Sequence, residues 1–322
     1  MSTEPLPVTR IANIKPVPIT RRWLVEGLWA EEAVGCIGGA PKSCKTWLSL
    51  ELALSVATGK PCLGVYPVRS TGPVLLYAAE DSAANVRDRV AGLAKARDVA
   101  LDKLAVGLIT LDGLRLDVPE HRVRLGATLA HVKPRLLVLD PLVRLHHGDE
   151  NSSAEVSELL GFLRGMQREH HVAIALVHHV RKSGASQPGQ SLRGSGDLHA
   201  WGDSNLYLLR QQGKLVLHAE HRSCPAPPPA VLALTGEPPR LTVDGSATSS
   251  ADDGLDKRIL ALLAAEPMTR TQLRDRLQVR NETLGEVLGR LEADRRLVRV
   301  DGRLTVPVPH LRDQRERNDR TA

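Results

Sequence analysis

Short apolar runs alternate with longer amphipathic stretches between residues 33 and 179. Ala33–Ile37, Val74–Ala79, Val106–Thr110, Leu136–Leu139 and Val172–Val177 are too short for core helices, and most are rich in Val, Ile and Leu, as strands buried on both faces are. Between them Ala83–Lys95, Glu120–His131 and Ala154–Glu169 carry helical spacing. That alternation predicts an α/β domain with a mainly parallel sheet and crossover helices. After Asp203 the rhythm changes. Leu206–Leu209, Leu215–His218, Ala230–Ala233 and Leu241–Val243 are short and separated by turns, as antiparallel additions to a sheet edge are.

The small, polar stretch 245–254 reads as a linker. A compact unit follows, with helices predicted over Asp256–Ala265, Thr269–Leu277 and Asn281–Arg295, and Thr269 as an N-cap. Residues 298–306 then alternate around Asp301-Gly302, a hairpin signal. Three short helices and a hairpin make a winged helix. The expected organisation is an N-terminal segment 1–30, an α/β domain 31–244, the linker 245–254, the winged helix 255–306 and a disordered tail 307–322.

Composition narrows the classes. The chain has 322 residues, 42% of them hydrophobic, enough for one large core and one small one. No apolar run reaches the length of a membrane span, and the N-terminus has no secretory pattern. Cys36, Cys44, Cys62 and Cys224 form no C-x-x-C pair, so neither a zinc site nor a disulfide framework is expected, and a reducing cytoplasm is the expected location. The net charge is +6. Residues 255–322 hold fifteen basic against eleven acidic residues, so most of the excess sits there. Aromatic content is only 2%, which argues against extensive base-stacking platforms.

The chemistry starts at the first predicted strand. It runs into Gly38-Gly39-Ala40-Pro41-Lys42-Ser43-Cys44-Lys45-Thr46, the phosphate-binding loop pattern G-x-x-x-x-G-K-[ST] with Cys44 in place of the second glycine. Backbone N–H groups of Gly39, Ala40, Lys42, Ser43 and Cys44 are expected to surround phosphates, with Pro41 shaping the turn. Lys45 is expected to reach the outer phosphates and Thr46 to ligate Mg²⁺. Leu136–Leu139 ends in Asp140, a second carboxylate for the metal. Val74–Ala79 ends in Glu80-Asp81-Ser82, which places Glu80 to polarise an attacking water, or else to cap the next helix; Asp81 is the better candidate cap. The fifth strand ends in His178-His179. Successive strand side chains face opposite ways, so a γ-phosphate contact is favoured over a metal pair. The basic, Gly-rich loop beyond it, with Arg181 and Lys182, suits a nucleic-acid contact or a solvated loop.

Taken together, Gly38–Gly59, Glu80-Asp81-Ser82, Val138–Asn151 and His178-His179 resemble the RepA-like branch of the RecA-fold ATPases, which includes plasmid-encoded hexameric replicative helicases. The resemblance covers residues 20–245. It implies a RecA-like P-loop core, ATP and Mg²⁺, and a homo-oligomeric ring, hexameric in the helicases, acting on single-stranded DNA. It also assigns Lys45 and Thr46 to phosphates and metal, Glu80 to catalysis, Asp140 to metal and His179 to γ-phosphate sensing. A basic finger from a neighbouring subunit is implied, with Arg210 the position most like it and Arg193 or Lys182 as alternatives. Cys44 and the added winged helix depart from the family's shorter members. For that module, Arg280, Asn281, Thr283 and Arg290, with Arg299 and Arg303 on the wing, are candidate contacts to duplex DNA; Glu282 and Glu286 suit protein docking instead. Two functions remain open: a ring motor in replication of a plasmid or mobile element, and a DNA-bound ATPase that assembles or regulates other factors without translocating.

Overall fold

The computed structural model describes residues 5–16, 18, 21–148, 153–179, 196–244, 252–277, 279, 281–293, 296–300 and 302–306. By contacts the chain divides into two units, Met1–Asp244 and Gly245–Ala322.

The first unit is built on a nine-stranded sheet. Its strands are β3 (Val34–Gly39), β4 (Val74–Ala78), β5 (Val106–Leu108), β6 (Leu136–Asp140), β7 (Ala173–His179), β8 (Ser204–Gln211), β9 (Lys214–His221), β10 (Ala230–Thr235) and β11 (Arg240–Val243). In space they run β11-β10-β9-β8-β3-β7-β6-β4-β5. From β8 to β5 every pair is parallel; β9, β10 and β11 add on antiparallel. This is the α/β, mainly parallel arrangement that the apolar runs predict. The predicted third strand is shorter than expected, ending at Leu108.

Side-chain alternation explains why the runs are apolar throughout. Val74, Leu76, Leu136, Val138, Ala173 and Ala175 face one core, together with helices α1 (Lys45–Thr58) and α2 (Ala83–Ala96). Leu75, Tyr77, Leu137, Leu139, Ile174 and Leu176 face the other, together with α3 (Pro119–Val132) and α4 (Ser153–His170). A strand covered by helices on both faces has no position left for a polar residue. The short helix α5 (Gly196–Trp201) leads into β8.

The core begins earlier in the chain than residue 31. Strands β1 (Trp23–Val25) and β2 (Trp29–Ala30) pair with each other, and Leu24, Val25, Leu28 and Trp29 are fully buried against α1. Trp29 Nε1 donates to the carbonyl of Ala33 at 3.1 Å. Residues 21–30 therefore belong to the first unit's core, whereas Leu6, Val8 and Ile11 are more than four-fifths exposed.

The second unit holds α6 (Asp252–Ala265), α7 (Arg270–Leu277), α8 (Asn281–Ala293) and a hairpin of β12 (Val298–Val300) and β13 (Arg303–Thr305). Its separate core includes Ile259, Leu273, Leu284, Leu288, Leu291 and Leu304. Thr269 caps α7 as expected: its Oγ1 accepts from the Gln272 amide at 3.3 Å, and Gln272 Oε1 accepts from the Thr269 amide at 2.8 Å. Met268 and Leu304 exchange backbone hydrogen bonds of 3.0 and 2.8 Å, tying the hairpin to the turn before α7. Helix α6 starts at Asp252, so the last residues of the predicted linker are helical. The predicted tail 307–322 lies outside the described residues. Among those described, no helix is long and apolar enough to cross a membrane.

Candidate functional site

Strand β3 ends in the loop that opens α1, at the carboxyl edge of the parallel strands, where ligands of open α/β sheets bind. Gly39 is required by close packing. A Cβ there would lie 2.5 Å from Ser43 Oγ and 2.8 Å from the carbonyl oxygen of Leu208. Lys42 and Cys44 both take left-handed backbone, with φ of +61° and +64°. For a residue bearing a Cβ this costs roughly 1–2 kcal/mol, which is the physical reason that glycine suits the position Cys44 holds. The backbone bonds of the loop are Ser43 N to Ala40 O and the first helical bond, Leu48 N to Cys44 O. Among the described residues, the amides of Cys44, Lys45 and Thr46 have no backbone acceptor. Ser43 is buried, and among the described residues its hydroxyl has no hydrogen-bond partner.

Lys45 is only 4% exposed. Its Nζ donates to the carbonyls of Gly39 at 3.0 Å and Ala40 at 2.9 Å, and among the described residues it has no carboxylate within ion-pair distance. Burial holds its pKa down, against the pull of Asp140, Glu80 and Cys44. A buried cation lying on carbonyl dipoles, next to unpaired amides, is a site shaped for an anion.

Thr46 Oγ1 donates to Asp140 Oδ2 at 2.8 Å. Burial raises the Asp140 carboxyl to about 6, opposed by the Thr46 hydrogen bond and Lys45 and reinforced by Glu80 and Asp81. A hydroxyl and a carboxylate oxygen in contact make a hard-oxygen donor set of the kind Mg²⁺ takes, so the residues fit that ion. Glu80 follows β4, and His179 ends β7, with Nε2 3.9 Å from Glu80 Oε2. Burial, then Lys45, lowers the His179 pKa, with Glu80 opposing; burial first, then His179 and Lys45, lowers that of His178 to about 4. Both imidazoles are neutral at pH 7.

One cavity of about 310 Å³ is lined by Lys42, Ser43, Cys44, Lys45, Thr46, Glu80, Asp140 and His179, so residues from four separate predicted motifs meet there. Gly39, Ala40 and Pro41 form the loop leading into it. Trp47, Asp81 and Arg89 also line it. Sequence reasoning missed Arg89, and it misassigned Asp81. The cap of α2 is Ser82, whose side chain accepts from the Asn85 amide at 3.2 Å. Asp81 instead pairs with Arg89 at 2.5 Å, and the Arg89 guanidinium lies 5.9 Å from the Trp47 ring centroid. The spacing of Asp81 and Arg89, eight positions or about two helical turns, was the available signal.

Residues 2–185 match the family AAA_25, described as an AAA domain. The chain belongs to that AAA-domain family. A similar solved structure is the crystal structure of the RadB recombinase, with 20% sequence identity over 66% of this chain and 92% of that one, and a TM-score of 0.46.

Other predicted positions stand outside this AAA-domain cavity. Arg210 is exposed near the end of β8, which runs parallel to β3 and so ends at the same edge, but it does not line the cavity. Arg299 and Arg303 are exposed on the second unit's hairpin, and Arg299 Nε pairs with Glu292 at 3.2 Å. Arg181, Lys182, Arg193 and Arg280 lie outside the described residues, and the side chains of Asn281, Thr283 and Arg290 on α8 are likewise not described. Among the described residues no group of three His, Cys, Asp or Glu could hold a metal ion by itself.

Proposed function

We propose that the chain is a RecA-like ring ATPase that hydrolyses ATP and drives movement on single-stranded DNA, as a replicative helicase of the RepA-like kind in a plasmid or mobile element. The observation that carries the reading is Lys45: a buried ammonium without a carboxylate partner among the described residues, between unpaired amides and the Thr46–Asp140 pair. In this reading Lys45 leaves the Gly39 and Ala40 carbonyls for the outer phosphates. Thr46 and Asp140 hold Mg²⁺, which when bound offsets phosphate charge. Glu80 accepts a proton from the attacking water. Neutral His179 donates to the γ-phosphate and transmits its loss to the loop that follows β7. Exposed Arg210 serves the cavity of a neighbouring copy, which makes hexamer or other ring formation a requirement for turnover.

The second unit favours another reading. Three helices and a hairpin with exposed Arg299 and Arg303 suit a winged helix on duplex DNA, which fits a DNA-bound ATPase that assembles other factors without translocating. One pair of assays separates them. ATP turnover stimulated by single-stranded DNA together with strand displacement supports the motor; turnover with no displacement on any forked substrate supports the assembly factor.

A further inference from the structure

Glu80 is a wall shared by two cavities. Besides the phosphate-loop cavity it lines a second, of about 420 Å³, together with Tyr77, Ala79, Gly113, Arg115 and Arg144. Arg144 Nε donates to Glu80 Oε1 at 3.1 Å. The carboxylate assigned above to activating water is therefore engaged by a guanidinium that lines the second cavity.

Arg144 closes a short 3-10 turn, Leu142–Arg144, directly after Asp140-Pro141. The turn is clasped to the loop after β5. Arg115 donates to the carbonyl of Arg144, the Leu116 amide to the carbonyl of Leu145 at 2.6 Å, and the His147 amide to Asp117 at 3.0 Å. The two guanidiniums are thus held at one cavity. Beyond these contacts their remaining N–H groups have no acceptor among the described residues. Glu80 and Arg144 are 46% and 54% exposed, so their ion pair is screened and weak. A phosphate offers two arginines bidentate, charge-assisted hydrogen bonds, which a single carboxylate oxygen does not.

We propose that this second cavity binds an oxyanion of the phosphate type, and that its occupant draws Arg144 off Glu80, freeing the carboxylate for the water in the first cavity. Arg144 is then a positioning residue that holds basal turnover low, and the proposal rests on the assignment of Glu80 above. The shared chemistry is a tetrahedral phosphate oxyanion, supplied either by a nucleic-acid backbone or by a free anion.

The test is steady-state ATP turnover by the full chain with three additions: none, a single-stranded oligo(dT), and sodium sulfate against sodium chloride at equal ionic strength. Wild type should be stimulated by oligo(dT), by sulfate, or by both, which names the source. Arg144→Ala should turn over about 2- to 5-fold faster without additive, the factor expected for removing an exposed ion pair. Its KM should be unchanged and its response to either anion lost. Arg144→Lys should restore the low basal rate, and Arg115→Gln should raise the anion concentration needed for half-maximal stimulation at least about fivefold. A folded Arg144→Ala chain with unchanged or slower turnover, while Glu80→Gln is inactive, overturns the latch and leaves the ATPase reading standing. Absence of turnover in wild type and Arg144→Ala alike overturns both.

Discussion

Asp140→Asn should stabilise the ligand-free protein while destroying its metal site. Burial raises the Asp140 carboxyl from 3.8 to about 6. Between about pH 4 and pH 6 the native state therefore holds a proton that the unfolded chain has released, so stability falls as pH rises through that window. Two units at 1.36 kcal/mol each amount to about 3 kcal/mol, and residual solvent access reduces this to about 2–3 kcal/mol. Asparagine keeps an oxygen to accept from Thr46 Oγ1 and has no charge to bury. At pH 7.5 with chelator the variant should exceed wild type by that amount; near pH 4 the two should agree within about 0.5 kcal/mol. All four tryptophans, Trp23, Trp29, Trp47 and Trp201, lie in the first unit, so urea unfolding followed by tryptophan fluorescence reports that unit alone. Added Mg²⁺ should stabilise wild type only and narrow the gap. Equal stability at both pH values, or a variant weaker than wild type at pH 7.5, would refute the argument.

Three other outcomes follow from the packing. Trp29→Ala should cost about 3–5 kcal/mol in urea unfolding, because the indole is fully buried in the main core; a loss under about 1 kcal/mol would return residues 21–30 to a peripheral segment. Arg97→Ala should cost about 3–5 kcal/mol, since it strands Glu51, buried at 1% exposure and bonded to that guanidinium; the Glu51→Leu, Arg97→Met pair should recover most of the loss. Iodoacetamide should modify half-buried Cys44 and Cys224 and spare Cys36 and Cys62, whose thiols burial pushes up to about 12, and ATP should protect Cys44 alone on peptide mapping.

Much of the fold is written in local pattern. Leu136–Leu139 is apolar at every position because both faces of β6 are covered, and Asp140 stands out as the first polar residue at its end. Glu80, Asp140 and His179 were legible for the same reason, since each ends or closely follows a buried strand, where polarity is conspicuous; Lys45 and Thr46 were legible from the loop pattern that leads from β3 into α1. What stayed hidden depends on which elements neighbour each other. Nothing local tells that β7 lies between β3 and β6, or that Arg144 reaches Glu80 across sixty-four positions. Asp81 was misread by a single residue, since the helix begins at Ala83 and Ser82 holds the capping position. The domain boundary at residue 31 left out residues 21–30, although the resemblance covered them, because strands of two or three residues leave no periodicity to read.

The central claim is that the Lys45 cavity binds ATP and that Glu80 activates the water that cleaves it. Single-turnover hydrolysis of pre-bound ATP with Mg²⁺ tests it most directly, in wild type, Lys45→Ala and Glu80→Gln. The account predicts no detectable binding by Lys45→Ala, and full binding by Glu80→Gln with cleavage slower by about 10²–10⁴-fold. Cleavage by Glu80→Gln at the wild-type rate would contradict it.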